Sequence, residues 1–150
     1  MNSNLSNIDR VKIFFSEILE KGDLSWIDKL LSDLFGLRSE EENSNDLQRK
    51  YGTGKIGIKL YLNTFIQAFE DSKYTLLNIL DCNDQVVVRW RIKAKHVGEI
   101  FSIKSSNKNV DLIGISWFFF DEQHLIRNLH LVWNGFSLID QINFEVRPKE

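Results

Sequence analysis

The chain has 150 residues, of which 19 are basic and 21 are acidic, so its formal net charge is −2 at neutral pH. This length fits one globular domain, and the balanced charge argues against a surface built to bind phosphates or acidic membranes. A single cysteine excludes an internal disulfide and a multi-cysteine zinc site. The aromatic content is high, with 11 Phe, 4 Trp and 3 Tyr, which predicts either a heavy core or a cavity lined with rings.

The N-terminal segment shows no targeting pattern. Residues 1–10 are polar and lack the basic and apolar regions of a secretory signal. The longest apolar run, residues 113–120, is far shorter than the roughly 20 residues that cross a bilayer. We therefore expect a cytoplasmic protein. Cys82 has no basic neighbour in sequence that would activate its thiol, so we expect no chemistry from it.

The first half of the chain has helical periodicity. Apolar residues at helical spacing predict a first helix that Asn7 caps and Gly22 ends. A second helix is predicted over residues 23–34 and a third over 55–69. Between them, the polar residues 38–54 are expected to form a mobile surface loop or a lid.

The second half has the two-residue period of β-strands. Strands are predicted over 74–81, 85–96, 110–120 and 125–134, with a turn at Asn83-Asp84 between the first two. In the strand 85–96, one face is apolar and ends in a histidine: Val86, Val88, Trp90, Ile92, Ala94 and His96. Its basic face, residues 89–95, is expected to be solvated rather than to bind nucleic acid. Helices followed by a meander of strands predict an α+β fold, with a curved sheet folded over the helices.

The last strand holds the strongest candidates for a site. Its alternation puts Asn128, His130, Val132 and Asn134 on one face, opposite Leu129, Leu131 and Trp133. The polar face either lines a cavity or is simply solvated, and the spacing leaves both open. His96 either reaches a pocket rim or bonds a backbone carbonyl, and His124 is expected to be exposed in a turn. No metal-ligand spacing, phosphate loop or nucleophile elbow occurs.

Several segments together resemble the SnoaL-like polyketide cyclases. Residues 95–101, Lys-His-Val-Gly-Glu-Ile-Phe, are similar to that family's His-x-Gly-Glu-Phe strand end, and 110–116 resemble its next strand. Residues 126–134 and 136–142 are similar to its closing strand and Leu-Leu-x-Gln-Leu tail. Further upstream, the matching elements are Gly22-Asp23-Leu24, Gly54, Gly57 and Phe69-Glu70-Asp71. The resemblance covers nearly the whole chain and implies a single SnoaL-like domain over residues 1–150.

The resemblance implies a nuclear transport factor 2-like cone. In this fold a curved, mainly antiparallel sheet wraps around N-terminal helices and encloses an apolar, aromatic pocket. Members of the family close a polyketide ring by intramolecular aldol condensation without a metal or cofactor, so neither is expected here. The family's acid/base aspartate matches Asn134, whose amide cannot exchange protons near neutral pH but can donate a hydrogen bond to a carbonyl or enolate oxygen.

The resulting hypothesis is a cofactor-independent cyclase or isomerase that acts on a small hydrophobic compound bearing a carbonyl group. In it, His130 is the base and Asn134 polarises an oxygen, while His96 is a second candidate at the pocket rim. The side chains predicted to contact the ligand are Tyr61, Trp90, Phe118, Asn128 and Val132. The alternative is a module that binds a hydrophobic ligand, or another protein, without catalysis.

A polar pocket face on the last strand would leave an apolar face outside. That outer face would comprise Ile113, Ile115, Trp117, Phe119, Leu129, Leu131 and Trp133. Because an exposed apolar face must be covered, the pattern predicts a homodimer through the sheets. No nucleic-acid or membrane partner is expected.

Overall fold

The computed structural model describes residues 4–38 and 53–143. Helix α1 spans Asn7–Ile13 and continues directly into a π-helical segment, Phe14–Glu20. Ser6 caps α1, because its hydroxyl accepts from the Asp9 N–H at 3.1 Å while the Asp9 carboxylate accepts from the Ser6 N–H. The predicted first helix is therefore confirmed, with Ser6 rather than Asn7 as its cap. It is followed by Gly22 with φ of +72°, a left-handed conformation that suits glycine.

The predicted second helix, over residues 23–34, is wrong over its second half. Helix α2 covers only Trp26–Leu30, and strand β1 follows at once over Leu31–Arg38. In β1, Leu31 and Phe35 are buried while Leu34 is 72% exposed. Strand β1 pairs with the last strand of the sheet, a partner almost a hundred residues away. That long-range pairing overrides the local helical spacing.

The remaining elements follow the predicted order. They are α3 (Gly54–Ala68), β2 (Phe69–Cys82), β3 (Gln85–His96), β4 (Asn109–Phe120), β5 (Ile126–Trp133) and α4 (Gly135–Asn143). The third helix, the four strands and the turn after Cys82 are confirmed, although β2 begins earlier than predicted. Most of the predicted loop over 38–54 lies outside the described residues.

The five strands form one sheet in the order β1-β5-β4-β3-β2. Strand β1 runs parallel to β5, and the other neighbouring pairs are antiparallel. The inner face of β3 is buried as predicted, from Val86 to His96. It joins residues of α1, the π-helical segment and α3 in one hydrophobic core. The α+β fold with a mainly antiparallel sheet packed on N-terminal helices is thus confirmed.

Strand β5 presents the opposite face to the one predicted. Leu129 is fully buried and lies beside Phe118 of β4, whereas His130 lies beside Trp117, which is 39% exposed. The polar residues of β5 therefore lie on the outer face of the sheet, and the expectation that they face a pocket is wrong. The outer apolar residues of β4 are exposed as predicted, with Ile113 at 47% and Ile115 at 41%.

Two further features bear on the site. Among the described residues, no helix combines the length and apolar character needed to span a bilayer. Within residues 4–38 and 53–143, no group of three or more His, Cys, Asp or Glu side chains is placed to hold a metal ion.

Candidate functional site

A cavity of about 90 Å³ lies between the helices and the inner face of the sheet. Its walls come from the π-helical segment, from helices α3 and α4, and from strands β2 to β5. In the described part of the chain, no Asp, Glu, His, Lys or Arg side chain borders it. The side chains that bring polar atoms to its lining are Tyr61, Ser72, Tyr74, Trp90 and Ser116. Such a lining suits an uncharged, largely apolar molecule.

Trp90 of β3 lies across the neighbouring strand. A Cβ atom at Gly114 of β4 would lie 2.2 Å from Trp90 Cζ2 and 2.5 Å from Cη2, so the ring sits directly over a position that has no side chain. The Trp90 Nε1–H donates to Ser116 Oγ at 2.9 Å, and the ring meets Tyr74 edge-on at 5.8 Å between centroids. These contacts fix the indole in the cavity wall. The sequence indicates this arrangement through Gly114, because a glycine inside an apolar strand often marks a place where another group approaches the backbone closely.

Two tyrosines border the cavity, Tyr61 on α3 and Tyr74 on β2. Burial, with the carboxylate of Glu20 nearby, raises the pKa of the Tyr74 phenol above its ordinary value. The Glu20 carboxylate accepts from the Tyr74 backbone N–H at 2.7 Å. Tyr74 therefore keeps its proton at neutral pH and is a hydrogen-bond donor rather than a base.

His96 is fully buried but does not border the cavity. Its Nδ1 accepts from the Ser106 N–H at 3.2 Å and lies 2.8 Å from Ser106 Oγ, so the imidazole holds the turn that precedes β4. Its ring packs against Phe69 with centroids 5.7 Å apart. Among the described residues, Nε2 has no hydrogen-bond partner. The ring therefore does not reach a pocket rim, and its backbone partner is the Ser106 N–H rather than the predicted carbonyl.

His130, the proposed base, and Asn134, proposed to polarise an oxygen, both lie outside the cavity. His130 packs against Phe119 and Trp117 on the outer face, with ring centroids 5.3 Å and 6.3 Å apart. Asn134 caps helix α4, because its Oδ1 accepts from the Ser137 N–H at 3.1 Å. An asparagine just before a helix is a recognisable cap, so the sequence did carry an indication of this role.

The predicted ligand contacts divide between the cavity and other places. Tyr61 and Trp90 line the cavity. Phe118 is fully buried and packs on Phe14 at 5.3 Å in the core instead. Val132 borders an open groove on the outer face, and Asn128 lies against Gly36 of β1. His124 is exposed in its turn as predicted.

Comparison with known proteins agrees with this architecture. The family model for the SnoaL-like polyketide cyclases matches residues 9–142. A protein from Jannaschia sp. CCS1 that is assigned as a SnoaL-like polyketide cyclase superposes with a TM-score of 0.80 at 14% identity, over 95% of this chain and 93% of that one. TsrD from Streptomyces laurentii superposes with a TM-score of 0.75 at 18% identity, over 93% and 98% of the two chains.

A third solved structure is an NTF2-like protein of unknown function from Burkholderia pseudomallei. It superposes with a TM-score of 0.69 at 12% identity, over 93% of this chain and 100% of that one. No curated protein matches the sequence. At these identities the solved structures establish the fold, and the family model covers most of the chain. The chain therefore belongs to the SnoaL-like polyketide cyclase family.

Proposed function

We propose that this protein binds a small, uncharged hydrophobic molecule in the cavity between its helices and its sheet. The observation that carries the proposal is the cavity lining, which is apolar apart from a few neutral donors and holds no charged side chain among the described residues. An anion or cation buried there would lose its hydration without gaining a partner, which is costly. A neutral ligand meets no such penalty.

Binding without acid/base catalysis is the better supported of the two hypotheses. Aldol condensation or enolisation needs a base within hydrogen-bond reach of the substrate proton. His130 and Asn134 lie on the outer face and His96 is occupied with Ser106. Tyr74 borders the cavity but keeps its proton. The described lining thus offers hydrogen-bond donors to a ligand oxygen and no group to remove a proton.

A pair of neighbouring residues on β4 provides the test. Leu112 borders the cavity, whereas Ile113 points to the outer face and is 47% exposed. We expect cyclopentanone to bind to the wild-type protein in a fluorescence or calorimetric titration, and a carboxylate of the same size, cyclopropanecarboxylate, not to bind. Leu112→Phe should fill the cavity and abolish binding, and Ile113→Phe should leave it unchanged. Equal loss in both variants, or binding of the carboxylate, would contradict the proposal.

We also propose that a second copy of the chain covers the outer face of the sheet. Six large apolar side chains are exposed there or beside it: Phe136 at 83%, Ile113 at 47%, Phe101 at 45%, Ile115 at 41%, and Trp117 and Val132 at 39% each. Together they expose on the order of several hundred Å², against the roughly 800 Å² that each partner buries in a standard interface. A twofold axis through such a patch pairs it with itself.

Sedimentation velocity at micromolar concentration tests the dimer. We expect a dimer for the wild type and a monomer for Ile115→Lys, which puts a charge in the middle of the face. Ile56→Lys is the matched control, since Ile56 is 73% exposed but lies on α3, away from the outer face. A monomeric wild type would refute the dimer without affecting the cavity proposal.

A further inference from the structure

Ser116 is a buried polar side chain in the cavity wall. It lies in the middle of β4, is 2% exposed, and borders the cavity. Its neighbours across the two adjoining strands are Val88 and Leu131, both apolar. A serine in such surroundings needs partners for its hydroxyl, because an unpaired buried polar group is destabilising.

The Ser116 hydroxyl accepts a hydrogen bond, but its O–H donor is left over. The oxygen accepts from the Trp90 Nε1–H at 2.9 Å. A hydroxyl also carries one O–H donor, and within residues 4–38 and 53–143 that donor reaches no acceptor. Because the indole is fixed over Gly114, its N–H approaches the Ser116 oxygen from one fixed direction. The O–H is thus held in the wall of an apolar cavity without a partner.

We propose that the Ser116 hydroxyl is the polar anchor of the ligand and selects molecules that carry an uncharged oxygen acceptor, such as a ketone, aldehyde or ester carbonyl. This inference rests on the proposed function and adds the ligand class. A carbonyl oxygen accepts the O–H that the protein leaves unpaired, whereas a hydrocarbon of the same shape leaves it unsatisfied. Since Trp90 holds the hydroxyl in place before binding, little ordering is needed when the ligand enters.

The size of the cavity guides the choice of probe. At about 90 Å³ it is smaller than the roughly 150 Å³ cavity that holds benzene in an engineered protein, so the probe must be small. Cyclopentanone and methylenecyclopentane form a suitable pair, because they have nearly the same shape and differ in an oxygen against a methylene group. The ratio of their dissociation constants reports the contribution of the oxygen.

Ser116→Ala and Ser32→Ala form the matched variants, since both serines are buried in the sheet but only Ser116 borders the cavity. We expect the wild type to prefer the ketone about fivefold, the size of effect that one hydrogen bond gives. Ser116→Ala should lower this ratio without weakening the binding of the hydrocarbon, and Ser32→Ala should keep the wild-type ratio. A ketone preference that is as strong in Ser116→Ala as in the wild type would overturn the anchor.

A second measurement uses only the wild-type protein and so does not depend on whether a variant folds. The carbonyl stretch of bound cyclopentanone, measured by infrared difference spectroscopy on the wild-type protein, should shift to lower frequency than in a hydrocarbon solvent. An unshifted band would overturn the anchor, as would equal binding of both probes. If neither probe binds, the proposed function itself fails, so the two failures are distinguishable.

Discussion

Replacement of Gly114 by alanine tests the packing that forms the cavity wall. The added methyl carbon would lie 2.2, 2.5 and 2.8 Å from three atoms of the Trp90 ring. Carbon atoms in contact normally lie at least about 3.5 Å apart, so the rigid indole must move by about 1 Å or more. That movement breaks the 2.9 Å bond to Ser116 and pushes the ring into the cavity.

The expected cost follows from these two effects. Overpacking a core costs about 1–3 kcal/mol, and loss of the Trp90–Ser116 hydrogen bond adds about 1 kcal/mol, so the free energy of unfolding should fall by about 2–4 kcal/mol. Urea denaturation measures this change, and a cyclopentanone titration measures the accompanying loss of binding. Both follow from one displacement of the indole, so we expect them together.

Gly135→Ala is the matched control for this substitution. Gly135 also lies beside a tryptophan, but its added Cβ would be 3.9 Å from the nearest Trp133 atoms, an ordinary contact. We expect the free energy of unfolding of this variant to lie within about 0.5 kcal/mol of the wild-type value, as it does for most surface substitutions. The reasoning is refuted if Gly114→Ala is as stable as Gly135→Ala and still binds the probe.

Three further predictions concern residues outside the cavity. Asn134→Ala should lower the free energy of unfolding by about 1 kcal/mol through loss of the α4 cap, and Asn134→Asp should retain stability without gaining enolisation activity; urea denaturation and a proton-exchange assay check these outcomes. His130→Ala should leave the dissociation constant of cyclopentanone unchanged, since the imidazole contacts Trp117 and Phe119 on the outer face, and a titration that shows weaker binding would contradict this placement. The hydrogen bond from Arg91, at 2.7 Å, lowers the pKa of Asp111, so the stability from this pair is present above the ordinary carboxyl pKa and is lost as the pH falls through the lowered pKa. Urea denaturation from pH 6 to pH 2 should therefore show a smaller acid-induced loss for Asp111→Asn than for the wild type.

Local patterns predicted those elements whose pairing partner lies nearby in sequence. Strand β3 alternates strictly, and the next strand on either side continues a meander, so its buried face could be read directly. Residues 31–34 continue the helical spacing of the residues before them, and the parallel pairing with β5 makes them the start of a strand instead. A pairing partner so far away in the sequence does not affect the local spacing of apolar residues.

The orientation of β5 shows a second limit. Alternation separates His130 from Leu129 and Leu131 but does not say which set faces inward. The pairing of Trp117 with His130, on the exposed side of β4, decides it. Tyr61 and Trp90 could be predicted as cavity residues because large aromatic rings are typical of a cavity lining. The role of Ser116 could not, because it depends on where Trp90 reaches across Gly114.

The most direct test of the account uses the tryptophan indole N–H signals in a ¹H–¹⁵N NMR spectrum. Trp90 lines the cavity, whereas Trp117 lies on the outer face and donates to Gln85 Oε1 at 3.0 Å. On titration with cyclopentanone, we expect the Trp90 indole signal to shift until the site is saturated, while the Trp117 signal stays in place. A saturating shift of Trp117 with Trp90 unchanged would place the binding site on the outer face and contradict the account.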